Sequence, residues 1–278
     1  KELLLRSWTT WQIAREFKAD LFLSFGNPTV GFPAWLMRKP YIALTDTEQA
    51  KEQHRLFKHF ASLIATPDVF FVDMGRKQVR YPADHELMYL HPDAFTPDIT
   101  ALDSVGLKPG DPYFMVRLSA WKATHDTTQH GFTPDEKLQL LRELSARGKV
   151  LLTAEAGIDP AYRPYITEFP PEKAHDLLAF ATLYIGEGIT MLSEACQLGT
   201  PAILCNTMNP GYTLDLQGRG LCFIYHDGRG ALEQMRTLLG QADLRATWAA
   251  KRDAMLRDKI NPTPWLVNMG NQLLAVSG

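Results

Sequence analysis

Disulfide staples, membrane spans and a charge excess of either sign are all missing from this chain, and each absence removes a class of protein. Cys196, Cys205 and Cys222 are odd in number, lack Cys-x-x-Cys spacing and sit in apolar surroundings. They read as reduced core residues of a cytoplasmic protein, not as a secreted framework. No run approaches the roughly 18 apolar residues that span a bilayer, and no charged-then-apolar leader opens the chain. Peripheral contact with a membrane surface is left open. Lysine and arginine number 29 against 31 acidic residues, a formal net charge of -2, so there is no basic footprint for nucleic acid. His125 and His130 lack a third ligand, and no metal site is expected. Neither a repeat at solenoid spacing nor a low-complexity tract occurs.

What is present is apolar content, 45% of 278 residues, enough for one large or two ordinary domains. Helical spacing over residues 8–17, 31–37 and 51–64 alternates with short apolar runs at 21–25, 41–44 and 69–72. A second series follows, with strands expected at 113–118, 150–153, 183–185, 202–204 and 221–225. Helices are expected at 134–147, 171–181, 190–198, 231–239, 244–257 and 264–276. Such alternation predicts α/β domains with parallel sheets. Between the series lies a Pro- and Asp-rich stretch ending in Gly106-Leu107-Lys108-Pro109-Gly110-Asp111-Pro112. The domains are therefore placed at residues 1–108 and 109–262, with a C-terminal helix, 263–278, packing back on the first.

One stretch organises the rest. Gly186-Glu187-Gly188-Ile189-Thr190, after an apolar run, reads as a strand, a tight glycine turn and a helix capped by Thr190 and closed by Gly199 before Pro201. The start of such a helix offers N–H groups and a positive dipole end to a phosphate. Thr190 and Glu194 stand four apart on one helix face, so one can meet phosphate and the other a sugar hydroxyl. A capped turn with a solvated glutamate would carry the same residues.

Ligands of parallel sheets bind at strand C-terminal ends, which draws attention to Asn27, Asp46 and Glu48. Asp46 and Glu48 are two apart, and one of them with a raised pKa would serve as a general base; a helix cap beside a solvated glutamate is the alternative. After the strand at 113–118, Arg117 and Lys122 suit a leaving diphosphate, and His125 suits proton donation or phosphate contact. Two α/β units joined by one linker are expected to hold their ligand in the cleft between them.

Gly-x-Gly-x-Thr-x-x-x-Glu-Ala-x-x-Leu-Gly-x-Pro, preceded by His175-Asp176-Leu177-Leu178-Ala179-Phe180-Ala181, resembles the C-terminal domain of GT-B-fold nucleotide-sugar proteins. Its kin are the non-hydrolysing UDP-N-acetylglucosamine 2-epimerases and the transferase that adds N-acetylglucosamine to lipid-linked peptidoglycan precursor. Over nearly its whole length the chain is similar to an uncharacterised prokaryotic GT-B-like family, a domain of unknown function. The hallmarks of that family stand here as Asp46-Thr47-Glu48-Gln49-Ala50, as 117–126 and as 186–201.

The resemblance implies a donor diphosphate at Gly186, Gly188, Ile189 and Thr190 and ribose hydroxyls on Glu194. It implies uracil held by backbone of residues 166–170, including Phe169, and phosphate or donor sugar near Asn209, Tyr212 and Thr213. Glu48 matches a catalytic-region glutamate of the epimerases, and Glu52 with Arg55 resembles their Glu-x-x-Arg helix. Two features depart from those epimerases: Asn27 replaces an acidic residue, and Leu118-Ser119 lacks their His-Arg pair. GT-B proteins open with a strand and a glycine-rich turn, and Lys1 falls after both, so the first domain is expected to be incomplete here.

The expected function is a glycosyltransferase that takes a UDP-sugar donor for prokaryotic polysaccharide or glycoconjugate synthesis. Asp46 or Glu48 would be its base, its acceptor an unidentified glycan or lipid-linked molecule, and no cofactor is required. A UDP-sugar 2-epimerase-like enzyme is the alternative, and a non-catalytic nucleotide-sugar binder or scaffold the second.

Overall fold

A computed structural model describes residues 2–119, 131–154 and 159–277. Its chain divides into two compact units, Lys1–Met88 with Pro210–Tyr212 and Lys259–Gly278, and Tyr89–Asn209 with Thr213–Asp258. Among the described residues every strand pairing is parallel. Parallel pairing demands a crossover between successive strands, and helices supply most of them.

In the first unit, helix α1 (Glu2–Phe17) precedes strand β1 (Phe22–Phe25), and α2 (Gly31–Leu36) leads to β2 (Tyr41–Leu44). Helix α3 (Lys51–Phe60), β3 (Leu63–Pro67), β4 (Gln78–Tyr81) and α4 (Leu87–Leu90) follow, and the sheet runs β1-β2-β3-β4. Phe22, Tyr41, Phe57, Ile64 and Phe70 fill the core around small Ala14, Ala34 and Ala43. Both β2 and β3 are buried throughout, as strands covered on two faces must be.

Here the sequence reading needs correction. Helix α3 ends at Phe60, Ala61 turns extended, and 63–67 form β3, where apolar spacing had extended the helix to residue 64. Residues 69–72, read as a strand, form no strand: Phe70 enters the core from a turn and Phe71 is exposed. Short apolar runs fit either period, and the backbone ladder from β2 to β3 decides between them. Trp8 and Trp35 are exposed.

The second unit begins its sheet with β5 (Tyr113–Leu118), followed by α5 (Pro134–Ser145), β6 (Lys149–Ala154), α6 (Ala174–Phe180) and β7 (Leu183–Gly186). Helix α7 (Ile189–Leu198), β8 (Ala202–Cys205), α8 (Gly211–Gly218), β9 (Cys222–Tyr225), α9 (Gly228–Leu239) and α10 (Leu244–Leu256) complete the series. Helix α5 starts with a full capping box, Thr133 and Glu136, and Pro134 in the first turn. Gly199 closes α7 at φ 77°, a left-handed turn that suits glycine.

Strand order β6-β5-β7-β8-β9 means the chain first winds one way from β5 and then the other. That reversal places a topological switch point between β5 and β7, the position at which open α/β sheets generally bind ligands. The last helix, α11 (Pro262–Ser277), belongs to the first unit, and its Trp265 ring lies 5.2 Å from that of Tyr81. No described helix is long and apolar enough to cross a membrane. Cys196, Cys205 and Cys222 are all buried.

Candidate functional site

At the switch point Arg117, near the end of β5, pairs with Gly186, the last residue of β7. A Cβ on Gly186 would lie 2.4 Å from the Arg117 carbonyl oxygen, so only glycine lets the strands meet there. The Glu187 N–H donates to that same carbonyl at 2.9 Å. Below the turn, the buried Tyr184 hydroxyl donates to the Gly188 carbonyl at 2.8 Å, and burial pushes its pKa up, which keeps it a donor.

Gly188 is the N-cap of α7, in extended geometry and with no side-chain capping bond. Thr190, expected as the cap, instead sits exposed at the second helical position. Its hydroxyl lies past the point where a cap oxygen could reach back, because the glycine takes the non-helical φ and ψ. The first-turn N–H groups, beginning with Ile189, therefore lack a side-chain cap, the condition under which a helix start takes an anion.

One turn further on, Glu194 is held in place. Its Oε1 accepts hydrogen bonds from His175 Nε2 at 3.0 Å and from the Tyr89 hydroxyl at 3.0 Å. The hydrogen bond to Glu194 is the chief cause that raises the His175 pKa, against the opposing effect of burial. His175 and Tyr89 were not among the expected site residues; position four within an aromatic and histidine-bearing segment is too common a pattern to single them out.

Glu187, between the two glycines, has a structural task that sequence spacing did not suggest. It is buried at 1% exposure, and its carboxylate accepts the Ser119 and Phe132 N–H groups at 2.7 and 2.9 Å. Lys137 Nζ lies 3.1 Å from its Oε2. One carboxylate thus ties β7 to the residues before and after 120–130 and to α5. Lys122 and His125, two of the expected site residues, lie outside the described residues.

Residues 166–170 run beside β6, with Ile166 bridging Leu152 and the Thr167 hydroxyl donating to the Val150 carbonyl; Phe169 is half-buried. Past β8, the Asn209 amide nitrogen donates to His226 at 3.0 Å, and its Oδ1 is buried with no hydrogen-bond partner among the described residues. Tyr212 and Thr213, in the first turn of α8, are buried, and Tyr212 is grouped with the first unit.

The first unit gathers carboxylates. Asp46 and Glu48 follow β2, Asp84 and Glu86 follow β4, and all four are buried. Burial raises the Asp46 and Glu48 pKa values, and the Asp46 charge adds to the effect on Glu48. Both Tyr81 and Tyr212 have pKa values raised first by burial and then by these acidic neighbours. Glu48 Oε1 accepts the Gly211 N–H at 3.1 Å, while Oε2 is buried with no hydrogen-bond partner among the described residues. Burial pushes His85, stacked on Phe25 at 3.7 Å, down to about 4. Glu52 and Arg55 are exposed on α3 and stand outside this buried group. Carboxyls whose proton affinity is raised by burial are suited to acid/base work. Asp84-x-Glu86 repeats the spacing of Asp46-x-Glu48 at another strand end, and that repetition was the available sequence signal. No described group of three or more His, Cys, Asp or Glu is placed to hold a metal ion.

No family model and no curated protein matches the sequence. Solved structures do. An S. aureus MnaA–UDP co-structure shares 10% identity at TM-score 0.65, over 94% of this chain and 77% of that one. A UDP-GlcNAc 2-epimerase from Neisseria meningitidis bound to UDP-GlcNAc shares 10% identity at TM-score 0.60, over 96% and 80%. The glycosyltransferase SnogD from Streptomyces nogalater shares 16% identity at TM-score 0.56, over 94% and 76%. The fold is accordingly GT-B-like, two Rossmann-like parallel-sheet units of an architecture common to sugar-nucleotide epimerases and glycosyltransferases.

Proposed function

We propose that the second unit binds a UDP-linked sugar and that the protein transfers the sugar to an acceptor hydroxyl with inversion. The observation that carries this reading is the coincidence, at the switch point of the second sheet, of three features. They are the Gly186–Gly188 turn, a helix start without a side-chain cap, and Glu194 with one oxygen committed to protein donors. That UDP or UDP-GlcNAc occupies two of the similar structures supports uridine as the nucleoside.

In this reading the N–H groups of Ile189 and Thr190 take the diphosphate and Arg117 offsets its charge, while Glu194 meets the ribose. Backbone groups near Phe169 hold the uracil, and Asn209 and Thr213 meet the phosphates or sugar. The acceptor oxygen attacks the anomeric carbon as the bond to the β-phosphate oxygen breaks; UDP leaves, and the acceptor proton passes to a carboxylate. Glu48 suits that last role, because burial raises its proton affinity and the charge of Asp46, two residues before it, adds to the rise.

UDP release over a panel of UDP-hexoses and glycan or lipid-linked acceptors tests the assignment. Glu48→Gln is expected to lose roughly a hundredfold or more in turnover while UDP affinity is kept; full turnover in that variant removes Glu48 as base. Epimerisation is the second reading, favoured by the likeness to a UDP-GlcNAc 2-epimerase at TM-score 0.60. A C2 epimer formed from UDP-GlcNAc without acceptor would decide for it.

A further inference from the structure

Glu194 Oε1 takes both protein donors, the His175 Nε2–H and the Tyr89 hydroxyl, each at 3.0 Å. Oε2 of the same carboxylate has no hydrogen-bond partner among the described residues. The Glu194 side chain is 12% exposed, so the carboxylate is largely enclosed. The His175 ring is itself confined, tilted against Tyr89 with centroids 5.4 Å apart and edge-on to Phe95 at 6.1 Å. Tyr89 lies at the end of α4, His175 in α6 and Glu194 in α7, so three helices converge on one carboxylate.

A free glutamate side chain loses rotamer entropy when a ligand fixes it. Two donors on one oxygen remove that loss in advance and aim the other oxygen outward, which is preorganisation in the ordinary sense. A site built to accept a hydroxyl also penalises a ligand that lacks it, since the charged acceptor then loses that partner.

We propose that Tyr89 and His175 form a clamp that presents Glu194 Oε2 to a ribose hydroxyl, making the second unit selective for ribonucleoside over deoxyribonucleoside diphosphates. This rests on the reading that the unit binds a UDP-sugar. Tyr89 and His175 are positioning residues here: they act through Glu194. Removing either donor frees the carboxylate to rotate and lets water reach Oε1, and the hydroxyl then contributes less.

Calorimetry with UDP, 2′-deoxy-UDP, 3′-deoxy-UDP and uridine on the full chain tests the clamp. Wild type is expected to prefer UDP over at least one deoxy analogue by roughly ten- to a hundredfold. In Tyr89→Phe and His175→Leu the preference shrinks several-fold, in the double variant it approaches unity, and His175→Gln, which keeps a donor, recovers part of it. The ratio of UDP to uridine affinity, which reads the phosphates, stays as in wild type. A merely structural role would move both ratios or neither, and Tyr89→Phe deletes one partly exposed hydroxyl, so that variant remains folded for the comparison. If wild type binds UDP and both deoxy analogues equally, or if the variants keep the wild-type preference, the clamp is overturned and UDP binding stands. If wild type binds no uridine nucleotide, the UDP-sugar reading fails and takes the clamp with it.

Discussion

Glu187 and Asp46 show how differently a buried carboxylate can be treated by its surroundings. Glu187 is fully compensated, with two N–H donors and Lys137. In Glu187→Gln the buried Lys137 ammonium loses its counter-charge, and the expected cost is about 3–5 kcal/mol in a urea melt. A cost below about 1 kcal/mol would show that the ion pair is idle. Asp46 is undercompensated, and burial raises its pKa. A carboxyl with a folded pKa above its unfolded value holds its proton longer in the native state, so stability falls as pH rises from the ordinary value of 3.8 through the raised one. Asp46→Asn is therefore expected to raise the melting temperature at neutral pH, with the gain fading as pH drops to about 4; a pH-independent difference would contradict this. His175 changes stability in the same direction for a different reason: its pairing with Glu194 contributes most at low pH and weakens as pH rises through its raised pKa. Much of this was legible beforehand for residues in distinctive local patterns, such as Gly186, Gly188, Asp46 and Glu48. Tyr89 and His175 were not, because they reach Glu194 from 105 and 19 residues away and only the fold brings them together.

At the scale of elements, the β7–α7 turn rests on two glycines with different reasons. A methyl at Gly186 would meet backbone of β5, the Arg117 carbonyl oxygen at 2.4 Å, and cannot be relieved without parting the strands. Gly186→Ala is expected to cost about 1–3 kcal/mol. A methyl at Gly188 meets side-chain atoms and no backbone, Arg117 Cγ at 3.1 Å and the Tyr184 hydroxyl at 3.5 Å, and a shift of a few tenths of an ångström relieves it. Gly188→Ala should change stability by less than about 0.5 kcal/mol while weakening UDP binding, since the methyl crowds the approach to the helix start. Equal melting temperatures for the two variants would contradict the distinction. Alternation of helix and strand was legible across the whole chain, but two elements of the first sheet were not. Strand β4, Gln78–Tyr81, buries only Tyr81 fully and carries no apolar run. Strand β3 follows α3 so closely that its apolar residues extend the helical pattern. Pairing with neighbouring strands, a non-local contribution, fixes both.

The chain runs through the first unit, then the second, and the end of the sequence returns to the first. Lys259 opens that returning segment, its side chain 1% exposed, and sets its ammonium 3.3 Å from Asp68 and 3.7 Å from Asp84. Lys259→Met leaves Asp84 buried without that cation and is expected to destabilise the first unit by about 3–5 kcal/mol. Calorimetric scans should show the loss in one transition, while UDP raises the transition of the second unit. A GT-B-like fold was legible from the glycine turn and the two alternating series; chemistry was less so, because acid/base residues are recognised by mutual proximity, not by spacing. The central claim is that the switch point of the second sheet is a uridine diphosphate site. Titration calorimetry of the full chain with UDP tests it most directly. The account predicts saturable binding, weakened roughly tenfold or more in Glu194→Ala. Absence of saturable heat with UDP and UDP-GlcNAc up to about 1 mM, or unchanged affinity in Glu194→Ala, would contradict it.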